Sequence, residues 1–303
     1  MGRFDVLLAV LLTLSCRAYA DSEVNVGGLI EVGYEKIGEE VGNLKTGDIE
    51  LGFKARLNEK VSGRIGLRLD GLPEAEALDE ATITLERFSE FPFFVTMGKT
   101  VMPFGVFNSH LISDPWTKEN KVVTWETKAV GLVGGYAHKQ VEVSCALYDS
   151  SDLKDPEALA AQISLKPTEG VTFGASYKSY HDVKNNEVLG YTDLSVMTEM
   201  VWKKMTLDGE YIVATKREEN APKPSAYSVG LAFQATESLE LAVRYDKLND
   251  DDEDRIRPDS RIGAGLNYTL FEAVTLGVEY GHTKKEEDGK GKDELLAKWA
   301  IKF

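Results

Sequence analysis

Lys54, Arg56, Arg64 and Arg68 are the side chains in this sequence best placed to do chemistry together. They occupy even-numbered positions of two neighbouring segments that alternate apolar and polar residues, so as strands they send all four groups to one side. The chemistry of such a row is electrostatic: guanidinium and ammonium groups bind the anionic portions of a solute. Lys298 and Lys302, near the far end of the chain, share a face with one another. Asp114 and Glu119 sit in a long connection, and Glu199, Asp208 and Glu210 lie on later alternating segments. A basic wall facing acidic groups sets up a transverse field across a narrow passage and tunes ion preference. Ion pairs within the wall, for example Glu50 or Glu86 with these arginines, are the plainer alternative.

Other chemistries find little support. Asn108-Ser109-His110 brings nucleophile and base types together, yet adjacent loop residues rarely meet in hydrogen-bond geometry, and no G-x-S-x-G motif is present. The chain is therefore expected not to be an enzyme. Four scattered histidines and one cysteine beyond residue 20, Cys145, offer no metal-ligand spacing. The run Asn249-Asp-Asp-Asp-Glu-Asp254 lacks the glycine and spacing of a calcium loop. No cofactor is expected. With Lys+Arg 35 against Asp+Glu 50, a net charge of −15 and no basic stripe, nucleic acid is not an expected partner.

Strands must position these groups. Ile49, Leu51, Phe53, Ala55 and Leu57 alternate with Glu50, Gly52, Lys54, Arg56 and Asn58. The same period of two recurs at 171–178, 239–246, 261–270 and 274–281. The connections take turns in length. Short ones fall near 59–60, 138–139, 167–170, 203–204, 235–238 and 271–272; long charged ones fall near 36–45, 70–78, 102–126, 149–158, 181–188, 216–224, 248–260 and 284–293. That is how an up-and-down barrel reads when one rim has tight turns and the other long loops. The expected fold is all-β: a transmembrane antiparallel β-barrel of about sixteen strands, with fourteen or eighteen left open by ambiguous phase in 91–102 and 189–202.

Both ends of the chain fit this fold. Val6–Leu12 is apolar but far shorter than the ~20 residues of a membrane-spanning helix. It precedes Ala18-Tyr19-Ala20, so residues 1–20 read as a cleaved signal and 21–303 as the barrel. In the last segment Leu295, Ala297, Trp299, Ile301 and Phe303 share one face. Trp299, Ile301 and Phe303 then form a closing-strand membrane signal, of the kind the barrel-assembly machinery receives. A soluble sandwich would also alternate, but its outer face would carry charge. Here the apolar face is nearly free of charge, as a lipid face must be when Lys or Arg there costs about 2–4 kcal/mol. Tyr34, Tyr136, Tyr177, Tyr191, Tyr245, Tyr268, Tyr280, Trp202 and Trp299 lie near expected strand ends, where interfacial girdles belong.

The most distinctive stretch is Met97–Glu119. Gly98-Lys99, Pro103-Phe104-Gly105, Phe107 and Ile112-Ser113-Asp114-Pro115 with Thr117 resemble the corresponding stretch of siderophore-type porins, typified by the Legionella siderophore receptor. The likeness covers about twenty residues, and related wording occurs in phosphate-selective porins. Trp116 and Lys118 stand inside the motif as residues of this chain. The resemblance implies an outer-membrane channel of a Gram-negative bacterium for small hydrophilic solutes, with ferric siderophores as candidate cargo. Pro103 would end a strand, Gly105 would redirect the backbone, and Asp114-Pro115 would turn it. The segment could then fold inward, with Pro103, Phe104, Gly105, Asp114 and Glu119 narrowing the pore. Expected partners are outer-membrane lipid, lipopolysaccharide, a small-molecule or ion solute and, as in many barrels of this size, two further copies in a homotrimer. The competing reading is a non-conducting structural or adhesive barrel.

Overall fold

The computed structural model describes residues 23–69, 77–86, 91–118, 124–149, 158–184, 187–217, 223–249, 259–284 and 291–303, with the backbone alone at 181–190. The expected signal, 1–20, lies outside the described residues. Sixteen strands follow one another. They begin with β1 (Glu23–Ile37), β2 (Asn43–Asn58), β3 (Val61–Arg68), β4 (Leu78–Glu86), β5 (Phe93–Val101) and β6 (Lys128–His138). Next come β7 (Val141–Tyr148), β8 (Ala158–Thr168), β9 (Val171–Lys184), β10 (Glu187–Trp202) and β11 (Met205–Lys216). The last are β12 (Ser225–Gln234), β13 (Leu239–Asn249), β14 (Ser260–Leu270), β15 (Val274–Lys284) and β16 (Gly291–Lys302). Each pairs antiparallel with its sequence neighbours, and β16 returns to β1, closing the barrel.

Local chemistry makes the tight rim. Asn58 Oδ1 accepts from the Lys60 and Val61 N–H groups at 2.8 and 3.0 Å, folding the β2–β3 turn. Lys203 takes positive φ in the two-residue β10–β11 turn, as strand twist requires, and Phe271 and Glu272 do so in the three-residue turn between β14 and β15. At the seam, Gly28 N–H donates to Phe303 O (2.8 Å) and Phe303 N–H to Gly28 O (3.1 Å). A Cβ on Gly28 would lie 2.4 Å from the Phe303 ring, so a larger residue there would have to displace that ring.

The burial pattern is inverted relative to a soluble domain. Val196 is 54% exposed, Val243 48% and Ile262 58%, while Asp193, Arg244, Asp246 and Glu279 are buried. The apolar face is the outer one, and a sandwich is excluded. With no backbone partner available in lipid, a closed barrel is the sheet that can span a membrane. Trp299, Ile301 and Phe303 point outward and are exposed, and Cys145 does the same as an apolar wall residue.

Two sequence expectations need correction. The segment 181–188, expected as a long connection, is mostly strand: Val183 pairs with Val188, and β9 and β10 extend to within two residues of each other. The backbone ladder continues through these polar residues, so polarity alone does not end a strand here. Tyr191 is not a girdle residue either. It shares the inward face of Asp193 and Ser195 and stacks on Tyr180 at 5.2 Å.

Candidate functional site

After β5 the chain turns into the barrel. Pro103 has no N–H to extend the ladder, and Gly105 follows with φ of 69°. A Cβ on Gly105 would lie 2.3 Å from the Phe107 ring, so this position admits glycine on both counts. The descending limb then runs along the inner wall, and wall side chains hold its backbone. Ser176 Oγ accepts from Gly105 N–H at 2.9 Å, while Gln162 Nε2 donates to Gly105 O at 2.8 Å. Glu210 accepts from the N–H groups of Val106 (2.9 Å) and Phe107 (3.1 Å). Glu199 accepts from Asn108 Nδ2 at 2.9 Å.

The tip is latched to the far wall. Arg244, almost wholly buried, donates to Ser109 Oγ (2.7 Å), to the carbonyls of Ser113 and Asp114 (both 2.8 Å) and to Ser113 Oγ (2.8 Å). Its Nε donates to Asp246 Oδ2 at 2.9 Å, and Asp246 also accepts from Trp116 N–H at 3.3 Å. Glu279 accepts from Ser113 N–H (2.9 Å) and Ser113 Oγ (2.7 Å) and pairs with Arg261 at 2.5 Å. Beyond Pro115 the limb returns through a turn in which Lys118 N–H donates to Pro115 O at 2.9 Å. Lys178, itself buried, donates to Trp125 O at 2.9 Å.

Apolar burial supports the same course. Phe104 and Trp125 join Ile212, Ala226 and Leu248 in one cluster, and Met102 joins Val133, Ala146, Tyr148, Ala158 and Ala160 in another. Fully burying a side chain of Phe size contributes about 1.5–3 kcal/mol. The half of the lumen beside β7–β13 is thereby filled.

A gap remains between the loop and the wall formed by β16, β1 and β2. Ile112, Asp114 and Lys118 face Glu31, Gly33, Asp48 and Lys298 across a gap. Bases at this level meet acids: Lys298 with Glu31 (3.0 Å), Arg68 with Asp48 (2.6 Å) and Lys118 with Asp114 (3.3 Å). Burial lowers the Lys118 pKa, but the carboxylates of Asp114 and Glu126 outweigh it and hold it above the ordinary lysine value.

Of the residues singled out from the sequence, Pro103, Phe104, Gly105 and Asp114 are on the inward loop, and Glu119 lies outside the described residues. Arg68 stands level with the loop. Lys54, Arg56 and Arg64 share its inward face but lie closer to the tight-turn rim, Lys54 six positions along β2 from Asp48, about 20 Å along the strand. Glu199, Asp208 and Glu210 lie beneath the loop, not across an open gap from the basic wall. Sequence reasoning passed over Arg244, Asp246, Arg261 and Glu279. Their signal was charge at inward-phase strand positions, Glu279 between Gly277 and Gly281 and Arg261 two before Gly263. Ser109 and His110 share no hydrogen bond: Ser109 binds Arg244, and His110 faces Glu240 at 3.3 Å.

An apolar exterior, an ionic interior and a loop folded into the lumen define a channel of the Gram-negative outer membrane. The chain belongs to the Gram-negative porin family, whose model matches residues 116–288. In fold it is similar to a loop-deletion mutant of OmpT from Vibrio cholerae (TM-score 0.74, 12% identity, covering 93% of this chain and 99% of that one). It is also similar to the channel DcaP of Acinetobacter baumannii (0.74, 15%, 95% and 99%) and to an anion-selective porin from Comamonas acidovorans (0.72, 11%, 93% and 100%). No curated protein matches the sequence.

Proposed function

We propose that this porin is a non-catalytic diffusion pore for small hydrophilic solutes, with a preference for those carrying negative charge. The observation that carries the reading is the one-sided loop: it packs against one half of the wall and leaves a gap beside β16, β1 and β2, while β2 and β3 carry Lys54, Arg56, Arg64 and Arg68 on their inward face. Arg64 and Arg68 stay substantially exposed although each has a carboxylate partner. The anion selectivity of the Comamonas relative agrees with this, on fold likeness alone. Reconstitution in planar bilayers under a potassium chloride gradient tests it. A reversal potential displaced toward that of chloride is expected, and shifted back when Arg64 and Arg68 are changed to Gln; a closed bilayer would leave a structural barrel.

The Met97–Thr117 motif supports ferric siderophores as cargo, and its first nineteen residues precede the part matched by the family model. Graded interruption of the chloride current by a ferric siderophore would support that choice. Removal of residues 1–20 on export is read from the mature mass. One solved form of the Vibrio relative is a trimer, and three copies of this chain in a native detergent complex would agree with it.

A further inference from the structure

Charge is balanced where the loop narrows the passage and unbalanced nearer the tight-turn rim. Lys54 on β2 stands directly opposite Arg64 on β3, both inward, where side chains of like charge repel. On its other side Lys54 faces Asn25 of β1. No carboxylate pairs with Lys54 among the described residues. Arg64 spends Nε on Glu80 at 3.1 Å and remains 61% exposed at its side chain. Arg56 follows two positions beyond Lys54 on the same face, opposite Ser62 on one side and Glu23 on the other. The Glu23 carboxylate accepts from Asn25 Nδ2 at 3.2 Å.

We propose that Lys54, Arg56 and Arg64 form a binding site for a small dianion, an oxyanion or a short dicarboxylate, below the constriction on the tight-turn side. The inference rests on the pore reading above. Two negative charges match it for a physical reason: a dianion bridging Lys54 and Arg64 balances both charges through charge-assisted contacts, whereas one chloride balances only one of them. The Arg64 guanidinium supplies a planar fork for paired oxygens, and Lys54 a mobile point charge. The tight-turn rim is the periplasmic one in such barrels. A solute leaving the loop would therefore meet this site last on its way in.

The test is current through the full-length pore in planar bilayers, with sulfate, phosphate or succinate added in turn to one side in chloride. Half-reduction of the chloride current is expected at lower concentration from the tight-turn side than from the loop side. Lys54→Ala, which breaks no ion pair, should raise that concentration about fivefold to tenfold, the worth of one charge-assisted contact in a wet site. Arg64→Lys should act in the same direction, while Lys298→Gln, at the loop level, should not. Sulfate and phosphate acting without succinate assigns the site to oxyanions, and the reverse to dicarboxylates. A conducting pore on which all three anions act weakly and Lys54→Ala has no effect overturns the site alone. A protein that does not conduct overturns the pore as well.

Discussion

The two halves of the barrel wall use the same residue types for opposite ends. From β11 round to β15, Glu210, Arg244, Asp246 and Glu279 are buried and bonded to the loop; from β16 round to β3, inward Arg64, Arg68 and Lys298 stay partly exposed. Residue type does not separate them, and neither does strand parity. What separates them is the loop: it covers one half, dries it, and converts its charges into ties. The lesson is that an inward charge in such a barrel cannot be assigned to solute until the course of the loop is known.

Substitutions that should break this contrast differ in size. Arg244→Ala should act most strongly, because it frees two loop carbonyls and leaves Asp246 buried without its cation. Breaking a buried pair costs about 3–5 kcal/mol. Unfolding in urea from lipid vesicles should show the loss, and single-channel records should show a larger, noisier conductance as the loop tip comes free. Glu210→Ala strands the N–H groups of Val106 and Phe107, at about 1–3 kcal/mol for a buried donor left unmade, with a smaller rise in noise. Arg68→Gln lies on the open half, where an exposed pair contributes about 0–1 kcal/mol, so stability should hold while ion selectivity moves. Equal stability losses at Arg244 and Arg68 would erase the distinction between the halves.

The smallest effect concerns Lys118 on the returning limb. A group whose pKa is raised on folding stabilises fully below its unfolded value and loses that contribution as pH climbs through the folded one. The difference in stability between the protein and its Lys118→Gln variant should thus stay level up to about pH 10.5, and shrink only above it. A difference that fades already between pH 8 and about 10 would contradict the raised direction.

Much of the fold was legible because a strand has a period of two and lipid tolerates no charge. The face of Lys54, the tight turns at 203–204 and 271–272 and the inward bend at Pro103 and Gly105 all follow from local residue chemistry. Height along the pore does not. Residues of equal parity sit at different depths along a strand, so Arg68 pairs with Asp48 at the edge of the gap while Lys54 and Arg64 lie farther along the wall. Arg244 and Ser113 meet across 131 positions, a contact no local pattern encodes. The β9–β10 hairpin is not legible because a polar run reads as a connection even where the backbone ladder continues through it.

The wall grips the loop chiefly by its main chain: N–H groups of 105, 106, 107, 113 and 116, and carbonyls of 105, 113, 114 and 125. Those atoms are common to nearly every amino acid. Ile112, Asp114 and Lys118, which look toward the gap, can therefore be exchanged over generations while the segment keeps its course. One scaffold can in this way be retuned to new nutrients by drift at a few positions, without rebuilding the barrel around them.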